Sequence, residues 1–286
     1  MKTIGIVANC RKPQAASVLK RLAVKASELG LELIASEETA RLLPGVKRLP
    51  ESALSRRIDV LLALGGDGSM LHAVRTLKGA NIPVLGVNLG SLGFMTSVTQ
   101  EDLEHALESL AAGKFTTTER TVAECRVFRG RKQIGHYRAL NDIVTGWGTS
   151  ARIISLELSI NDEHVSSFAC DGMIVSTPTG STGHSLSAGG PILAPGAPAF
   201  VISVICPHTL SNRPLVVSND SVVSVRVAQS MKKLLLSIDG QEELSLLKDD
   251  RLTIRKSDRG VSFIHLPGYS YFSVLRQKLH WRGSSV

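Results

Sequence analysis

Residues 60–71 read VLLALGGDGSML: the apolar run Val60 to Leu64 passes directly into Gly65-Gly66-Asp67-Gly68, and a helical pattern begins at once. A short continuous apolar run bounded by glycines has the length of a buried strand. Strand, glycine junction and helix in direct succession open a parallel crossover unit, which few folds other than covered α/β sheets accommodate. In such sheets ligands lie beyond the carboxyl ends of the strands. Glycines there let backbone N–H groups approach a ligand, and the helix N-terminus favours an anion. Gly65, Gly66 and Gly68 are therefore candidate phosphate-loop residues. Asp67 fits an anion poorly, and on the residues alone it reads as a turn and helix-start residue.

The rest of the first part of the chain repeats the alternation. Thr3 to Asn9 reads as a strand and Gln14 to Leu29 as a helix, with Leu19, Leu22, Ala26 and Leu29 on one face and Gly30 as its stop. Leu31 to Ala35, Ile58 to Leu64 and Ile82 to Asn88 read as further strands, and Gln100 to Ala112 as a helix. Continuous apolar strands separated by helices predict a parallel, Rossmann-like sheet covered on both faces. The glycine-rich loop Asn88 to Phe94 is expected beside the phosphate loop. From about Thr116 the texture changes to alternating Val, Ile, Ser and Thr, as in Ile153 to Ile160, Val222 to Val227 and Leu234 to Ile238. Such segments predict a mostly antiparallel all-β second domain. The expected organisation is an α/β domain over 1–115, a β-rich domain over 116–265, and a tail over 266–286 that packs back on the first. Residues 176–190, rich in Ser, Thr and Gly, form a polar strip suited to lining a pocket or forming a loop.

Composition narrows the function classes. A net charge of +8 raises the question of nucleic acid. Its basic residues, however, are scattered among acids, aromatic residues make up 4%, and no nucleic-acid-binding motif occurs. A basic surface equally attracts small polyanions such as nucleotides. No apolar stretch approaches the ~18 residues of a membrane span, and the N-terminus reads as a strand rather than a signal peptide. Cys10, Cys125, Cys170 and Cys206 lie far apart without a C-x-x-C pair, as expected of buried thiols in a reducing cytosol rather than a zinc or disulfide framework.

Taken together, Gly65-Gly66-Asp67-Gly68, Asn88-Leu89-Gly90 with Gly93-Phe94, Asn141-Asp142, Asp171-Gly172, Ser176 to Thr182, Pro207-His208 and Asp239-Gly240-Gln241 resemble the NAD kinase family, in the family's order from about residue 60 to 245. The resemblance implies a NAD kinase/diacylglycerol kinase-like fold and transfer of the terminal phosphoryl of ATP to the 2′-hydroxyl of the adenosine ribose of NAD. It also implies a divalent cation such as Mg²⁺, a homo-oligomer and a cytoplasmic location. Carried over by residue, it makes Asp67 the catalytic aspartate and places Gly65, Gly66 and Gly68 in the phosphate loop. Asp67, Gly68, His72, Asn141, Asp142, Arg152, Asp171, Thr182, Gly183, His184, Ser185, Leu186, Ser187 and Gln241 become candidate NAD contacts. The sequence departs from the family at Gly183 and His184, where Ala then Tyr are usual, and at Ala169, where many bacterial members carry a basic residue.

The resemblance also answers the question that Asp67 raises. Phosphoryl transfer is dominated by positioning and charge neutralisation, yet the acceptor hydroxyl must still lose a proton. A carboxylate within reach of it acts as a general base, while a phosphate-bound cation reverses the local charge balance. Two alternatives remain at this stage: a dinucleotide-binding sensor without catalysis, and a lipid or sugar kinase sharing only the Gly-Gly-Asp-Gly element.

Overall fold

The computed structural model describes residues 2–90, 93–147, 154–229 and 234–281. It divides into two units, Met1–Glu119 with Val261–Val286, and Arg120–Gly260.

The first unit carries β1 (Thr3–Ala8), α1 (Ala15–Glu28), β2 (Glu32–Ser36), α2 (Glu37–Ala40), β3 (Lys47–Leu49), α3 (Glu51–Leu54), β4 (Val60–Gly65), α4 (Asp67–Leu77), β5 (Val84–Asn88), α5 (Leu103–Ala111) and β6 (Thr116–Arg120). The second carries β7 (Ala123–Arg129), β8 (Lys132–Ala139), β9 (Asp142–Trp147), β10 (Ile154–Ile160), β11 (Glu163–Cys170) and β12 (Gly172–Ser176). A 3-10 turn (Gly180–Thr182) and the short α6 (His184–Ser187) follow. Then come β13 (Ala199–Ile205), β14 (Leu215–Ser218), β15 (Val223–Gln229), β16 (Leu234–Ile238), β17 (Glu242–Leu246) and β18 (Arg251–Lys256). The chain returns to the first unit as β19 (Val261–His265) and α7 (Tyr271–Lys278).

The first sheet has the order β3-β2-β1-β4-β5-β19-β6, with parallel pairing from β3 through β19. The apolar run that opens the phosphate loop becomes β4, whose side chains from Val60 to Leu64 are all fully buried. Burial of each leucine there contributes about 1.5–3 kcal/mol relative to exposure, so the strand that delivers the glycine junction is firmly seated. Helix α1 buries Val18, Leu19, Leu22 and Ala26 on the expected stripe and ends at Gly30, which has φ +66°. The chain fills the sheet on one side of β1 with β2 and β3, then crosses to β4 on the other side. The order thus reverses between β1 and β4, the position at which open α/β sheets bind ligands.

In the second unit two six-stranded sheets, β11-β10-β15-β18-β7-β8 and β14-β13-β12-β9-β16-β17, share one core. Cys125, Val127, Leu156 and Val225 come from the first of these sheets, and Ile143, Met173, Phe200 and Leu236 from the second. Among the described residues every pairing in both sheets is antiparallel. The alternation in the sequence is thus the inward and outward facing of a sandwich.

The division of the chain departs from the expected boundaries at the second crossing. Val261–His265 has strand texture like its neighbours, but it pairs in parallel with β5 through Phe263 and Val84, so it belongs to the first sheet. The tail beyond it forms α7, which buries Val274 and Leu275 and brings Lys278 Nζ to 6.0 Å from the Phe94 ring. Cys125 and Cys170 are buried, but Cys206, just beyond the end of β13, is exposed, contrary to the expectation of buried thiols. Among the described residues no helix is long and apolar enough to cross a membrane.

Candidate functional site

Two loops, one in each unit, gather most of the candidate residues. In the first unit the ends of three adjacent strands are tied together: Asn9 N–H donates to Leu64 O (2.8 Å) and Leu89 N–H to Gly65 O (2.9 Å). Gly65 has φ +155°, and a Cβ there would overlap the Ser69 side chain, so the junction demands glycine. Gly66 and Gly68 have nothing within 4 Å of a Cβ position, so the space on that side of the loop is clear.

Asp67, the first residue of α4, does more than start a helix. Its Oδ2 accepts from Phe94 N–H and its Oδ1 from Met95 N–H, each at 2.9 Å. The loop after β5 is shaped to deliver those amides. Asn88, 3% exposed, accepts from Gly90 N–H (2.7 Å) and donates to Thr96 Oγ1 (3.1 Å), which also accepts from Gly93 N–H (3.0 Å). A Cβ on Gly93 would fall on the Asp67 carboxylate, so this loop and the aspartate require one another. Each carboxylate oxygen keeps a further acceptor site beyond its amide bond. Ser91 and Leu92 lie outside the described residues. The Lys12 ammonium, exposed just beyond β1, stands 3.9 Å from the position that a Gly90 Cβ would take.

His72, a candidate NAD contact, is bonded within its own unit. Its Nε2 lies 2.8 Å from Glu51 Oε1, and its Nδ1 lies 3.0 Å from Arg75 Nη2. Arginine only donates, so Nδ1 accepts and Nε2 carries the proton toward Glu51. Thr76 Oγ1 donates to the other Glu51 oxygen at 3.2 Å. Both ring nitrogens are therefore occupied, Nε2 in joining α3 to α4 and Nδ1 within α4.

In the second unit Asn141 and Asp142 lie on the loop entering β9, and the backbone there is held on both edges. Asp239 Oδ1 accepts from Asn141 N–H (2.7 Å) and Asp142 N–H (3.0 Å), and its Oδ2 accepts from Leu140 N–H (2.9 Å). On the other edge Thr177 N–H donates to Asn141 O (2.9 Å), and Thr177 Oγ1 donates to Leu140 O. A Cβ on Gly180 would strike the Asn141 carbonyl, which explains the glycine in the middle of the polar strip. With its backbone satisfied, Asn141 still has a buried side-chain oxygen, Oδ1, without a hydrogen-bond partner; Thr179 Oγ1 is in the same state. Asp142 is 6% exposed, and burial, followed by the neighbouring Asp239 charge, pushes its carboxyl up to about 7.

The polar strip splits by residue. Thr182 is half-buried and donates to Thr179 O (3.3 Å), Leu186 is half-buried, and Gly183, His184 and Ser187 are exposed. Ser185 is a candidate NAD contact of a different kind. It is fully buried, its Oγ is 3.1 Å from Ser203 Oγ, and it packs where a Gly190 Cβ would be, so it belongs to the interior of the unit. Asp171 is half-buried, its N–H donates to Ile205 O (2.9 Å), and its carboxylate holds the Cys206 thiol proton, which pushes that thiol up. Gln241 closes a two-residue turn through its N–H on Ile238 O (2.9 Å). Asp239 and Gly240, both with positive φ, are the turn's central residues, as in a type I′ hairpin. Arg152 lies outside the described residues.

Sequence reasoning marked Asn88, Gly93, Thr177, Gly180 and Asp239 only as parts of the shared motifs, without their fastening roles, and left Thr96 unmarked. The shared motif Asp239-Gly240-Gln241 marked Asp239, but nothing local showed what its carboxylate reaches.

Known proteins share this architecture and sequence. The ATP-NAD kinase N-terminal domain matches residues 4–115, and the ATP-NAD kinase C-terminal domain matches residues 140–266. The NAD kinase of Syntrophotalea carbinolica is 38% identical over 98% of this chain and 99% of its own, and that of Desulforamulus reducens is 39% identical over 98% and 97%. The crystal structure of yeast NADH kinase with NADH superposes with a TM-score of 0.92 at 26% identity, covering 100% of this chain and 89% of that one. An Archaeoglobus fulgidus NAD kinase in complex with ATP gives 0.79 at 26% identity, over 98% and 100%. A strand-to-helix glycine junction with its aspartate clasped, an Asn-Asp loop before a β-sandwich strand, and likeness along nearly the whole chain have one common explanation: the chain belongs to the NAD kinase family.

Proposed function

We propose that this protein transfers the terminal phosphoryl of ATP to the 2′-hydroxyl of the adenosine ribose of NAD, giving NADP and ADP. The observation that carries the reading is the unpartnered Asn141 Oδ1, buried on a loop whose backbone bonds are all directed elsewhere. A buried acceptor left unpaired costs about 1–3 kcal/mol, and native proteins keep such groups where a ligand supplies the donor. Vicinal ribose hydroxyls are suitable donors, and the Asp142 carboxyl beside it offers a further hydrogen-bonding group. Thr179 and Thr182 extend this acceptor surface, while Asp171 and Gln241 are polar groups for the remainder of the dinucleotide. His184, exposed at the head of α6, offers a flat ring to a base in place of the family's usual tyrosine.

On the other substrate, the clear space beside Gly66 and Gly68 at the start of α4 and the ammonium of Lys12 suit a polyphosphate. Asp67 is the group we assign to the acceptor hydroxyl. Its two amide bonds fix the carboxylate plane, and the acceptor sites left over can take the hydroxyl proton as the oxygen attacks phosphorus. Pre-organisation of that kind removes a search from the reaction coordinate.

Among the described residues no group of three or more His, Cys, Asp or Glu could hold a metal ion. Mg²⁺ keeps several waters and binds through one or two carboxylates plus substrate phosphates, and Asp67 would be the carboxylate available to it at the phosphate loop. The cation would supply charge neutralisation on the transferring phosphates. A cytoplasmic homo-oligomer completes the reading.

The test is formation of NADP from NAD and ATP with Mg²⁺ by the full chain, accompanied by Asn141→Ala. The variant should weaken NAD binding about 5- to 150-fold, the equivalent of about 1–3 kcal/mol, and leave the KM for ATP unchanged. NAD binding without NADP formation would identify a sensor instead, and phosphorylation of a lipid or sugar in place of NAD would overturn the assignment.

A further inference from the structure

Asp239 lies at the first central position of the β16–β17 turn with φ +53°, a conformation that Asn, Asp and Gly all supply. The turn therefore does not explain a carboxylate. What does is the set of three consecutive amides, those of Leu140, Asn141 and Asp142, that converge on its two oxygens at 2.7–3.0 Å. Asp239 N–H closes the contact in the other direction on Asp142 O at 3.0 Å. Hydrogen bonds to an ionised acceptor are roughly twice as strong as neutral ones, so the loop is fastened at its N–H edge by a single side chain.

We infer that Asp239 is a positioning residue for the dinucleotide: its carboxylate fixes the backbone that presents the Asn141 amide and the Asp142 carboxyl to the ligand. The inference rests on the assignment of Asn141 to NAD binding. Thr177 holds the carbonyl edge of the same loop, and Gly180 lets the strip close on it, so the loop is clamped from two sides with Asn141 Oδ1 left as an unpaired acceptor. Asparagine in place of Asp239 keeps the turn but turns an NH₂ group toward one of the amides, which converts an attraction into a repulsion. The loop must then shift, and a displacement well under 1 Å is enough to spoil a hydrogen bond to a ribose hydroxyl.

The test uses the full chain with Asp239→Asn, Asn141→Ala and the double variant. Asp239→Asn should raise the KM for NAD about tenfold, with kcat and the KM for ATP within about twofold of wild type. In the Asn141→Ala background the same change should add less than about threefold, because residues that act through one another are non-additive. Asp239→Glu, which keeps two acceptor oxygens one methylene farther out, serves if the Asn variant does not fold, and should show the same selective effect on NAD. An Asp239 variant with a normal KM for NAD, equal losses for both substrates, or full additivity with Asn141→Ala would overturn the inference while leaving the site assignment intact. A normal KM for NAD in Asn141→Ala would overturn the assignment, and the inference with it.

Discussion

In the first unit the Asp67 carboxylate accepts N–H bonds from Phe94 and Met95, whereas in the second the Asp239 carboxylate accepts them from Leu140, Asn141 and Asp142. The device is the same, a carboxylate closing over backbone amides, but the consequences differ. In the first loop the clasped group is itself the candidate reacting group, and the loop exists to aim it. In the second, the clasp lies one step away from the ligand, and the groups it aims are Asn141 and Asp142. A lesion at the first clasp should therefore appear in turnover, and a lesion at the second in NAD affinity.

The largest expected effect tests the first half of that contrast. Asp67→Asn should lower kcat by about 10²–10⁴-fold, the range for loss of a general base. It should leave the NAD dissociation constant within a few-fold. The substitution also replaces one of the two amide acceptors by a donor, so a stability loss of about 1 kcal/mol is expected. Single-turnover kinetics and thermal melting on the same preparation separate the two. A large loss of stability with a normal kcat would mean that Asp67 is only a latch for the 93–95 loop.

The two clasps also differ in how far the sequence disclosed them. The Val60–Gly65 strand, the glycine junction and the start of α4 were legible because they are consecutive in the chain, with a pattern dictated by burial and backbone freedom. The sandwich was legible as alternation. Which sheet a strand joins was not: Val261–His265 has the texture of the second unit and the pairing of the first, since period two records two faces and not a neighbour. Side-chain partners distant in sequence were equally hidden. Glu51 captures His72 from 21 residues away, and Asp239 reaches Asn141 from 98. Ser185 reads like its exposed neighbours, yet it faces Ser203 because the short α6 turns one side inward. The resemblance to a family supplied Asp67 and the Asn-Asp pair; only the three-dimensional arrangement shows what holds them.

The next effect sharpens the comparison at matched positions. Gly93 abuts the Asp67 carboxylate and Gly180 abuts the Asn141 carbonyl, so alanine at either forces a displacement. Overpacking of this kind costs typically 1–3 kcal/mol, and both variants should melt earlier. Their kinetics should part: Gly93→Ala should lower kcat, and Gly180→Ala should raise the KM for NAD, each by about tenfold. Identical kinetic patterns from the two glycines would erase the distinction between an aimed base and an aimed binding loop.

The smallest effect concerns Asp142, the buried neighbour of the second clasp. Burial and then the Asp239 charge raise its carboxyl from 3.8 in the reference state to about 7. A carboxyl raised on folding binds its proton more tightly in the native chain than in the unfolded one. Its contribution to stability is therefore fully present below about pH 4 and is lost as the pH rises through about 7. Between about pH 6 and pH 8 this single group should lower the unfolding free energy by about 1 kcal/mol. Asp142→Asn keeps the shape and removes the proton, so the difference between variant and wild type isolates the group from every other titration. The variant should gain on the wild type as the pH rises across that window, as measured by urea unfolding at each pH. A wild-type-minus-Asp142→Asn difference that stays flat would mean that Asp142 is already ionised at pH 6 in the folded chain. The second loop would then hold two charged carboxylates side by side, and a cation shared between them, rather than burial, would have to explain how they coexist.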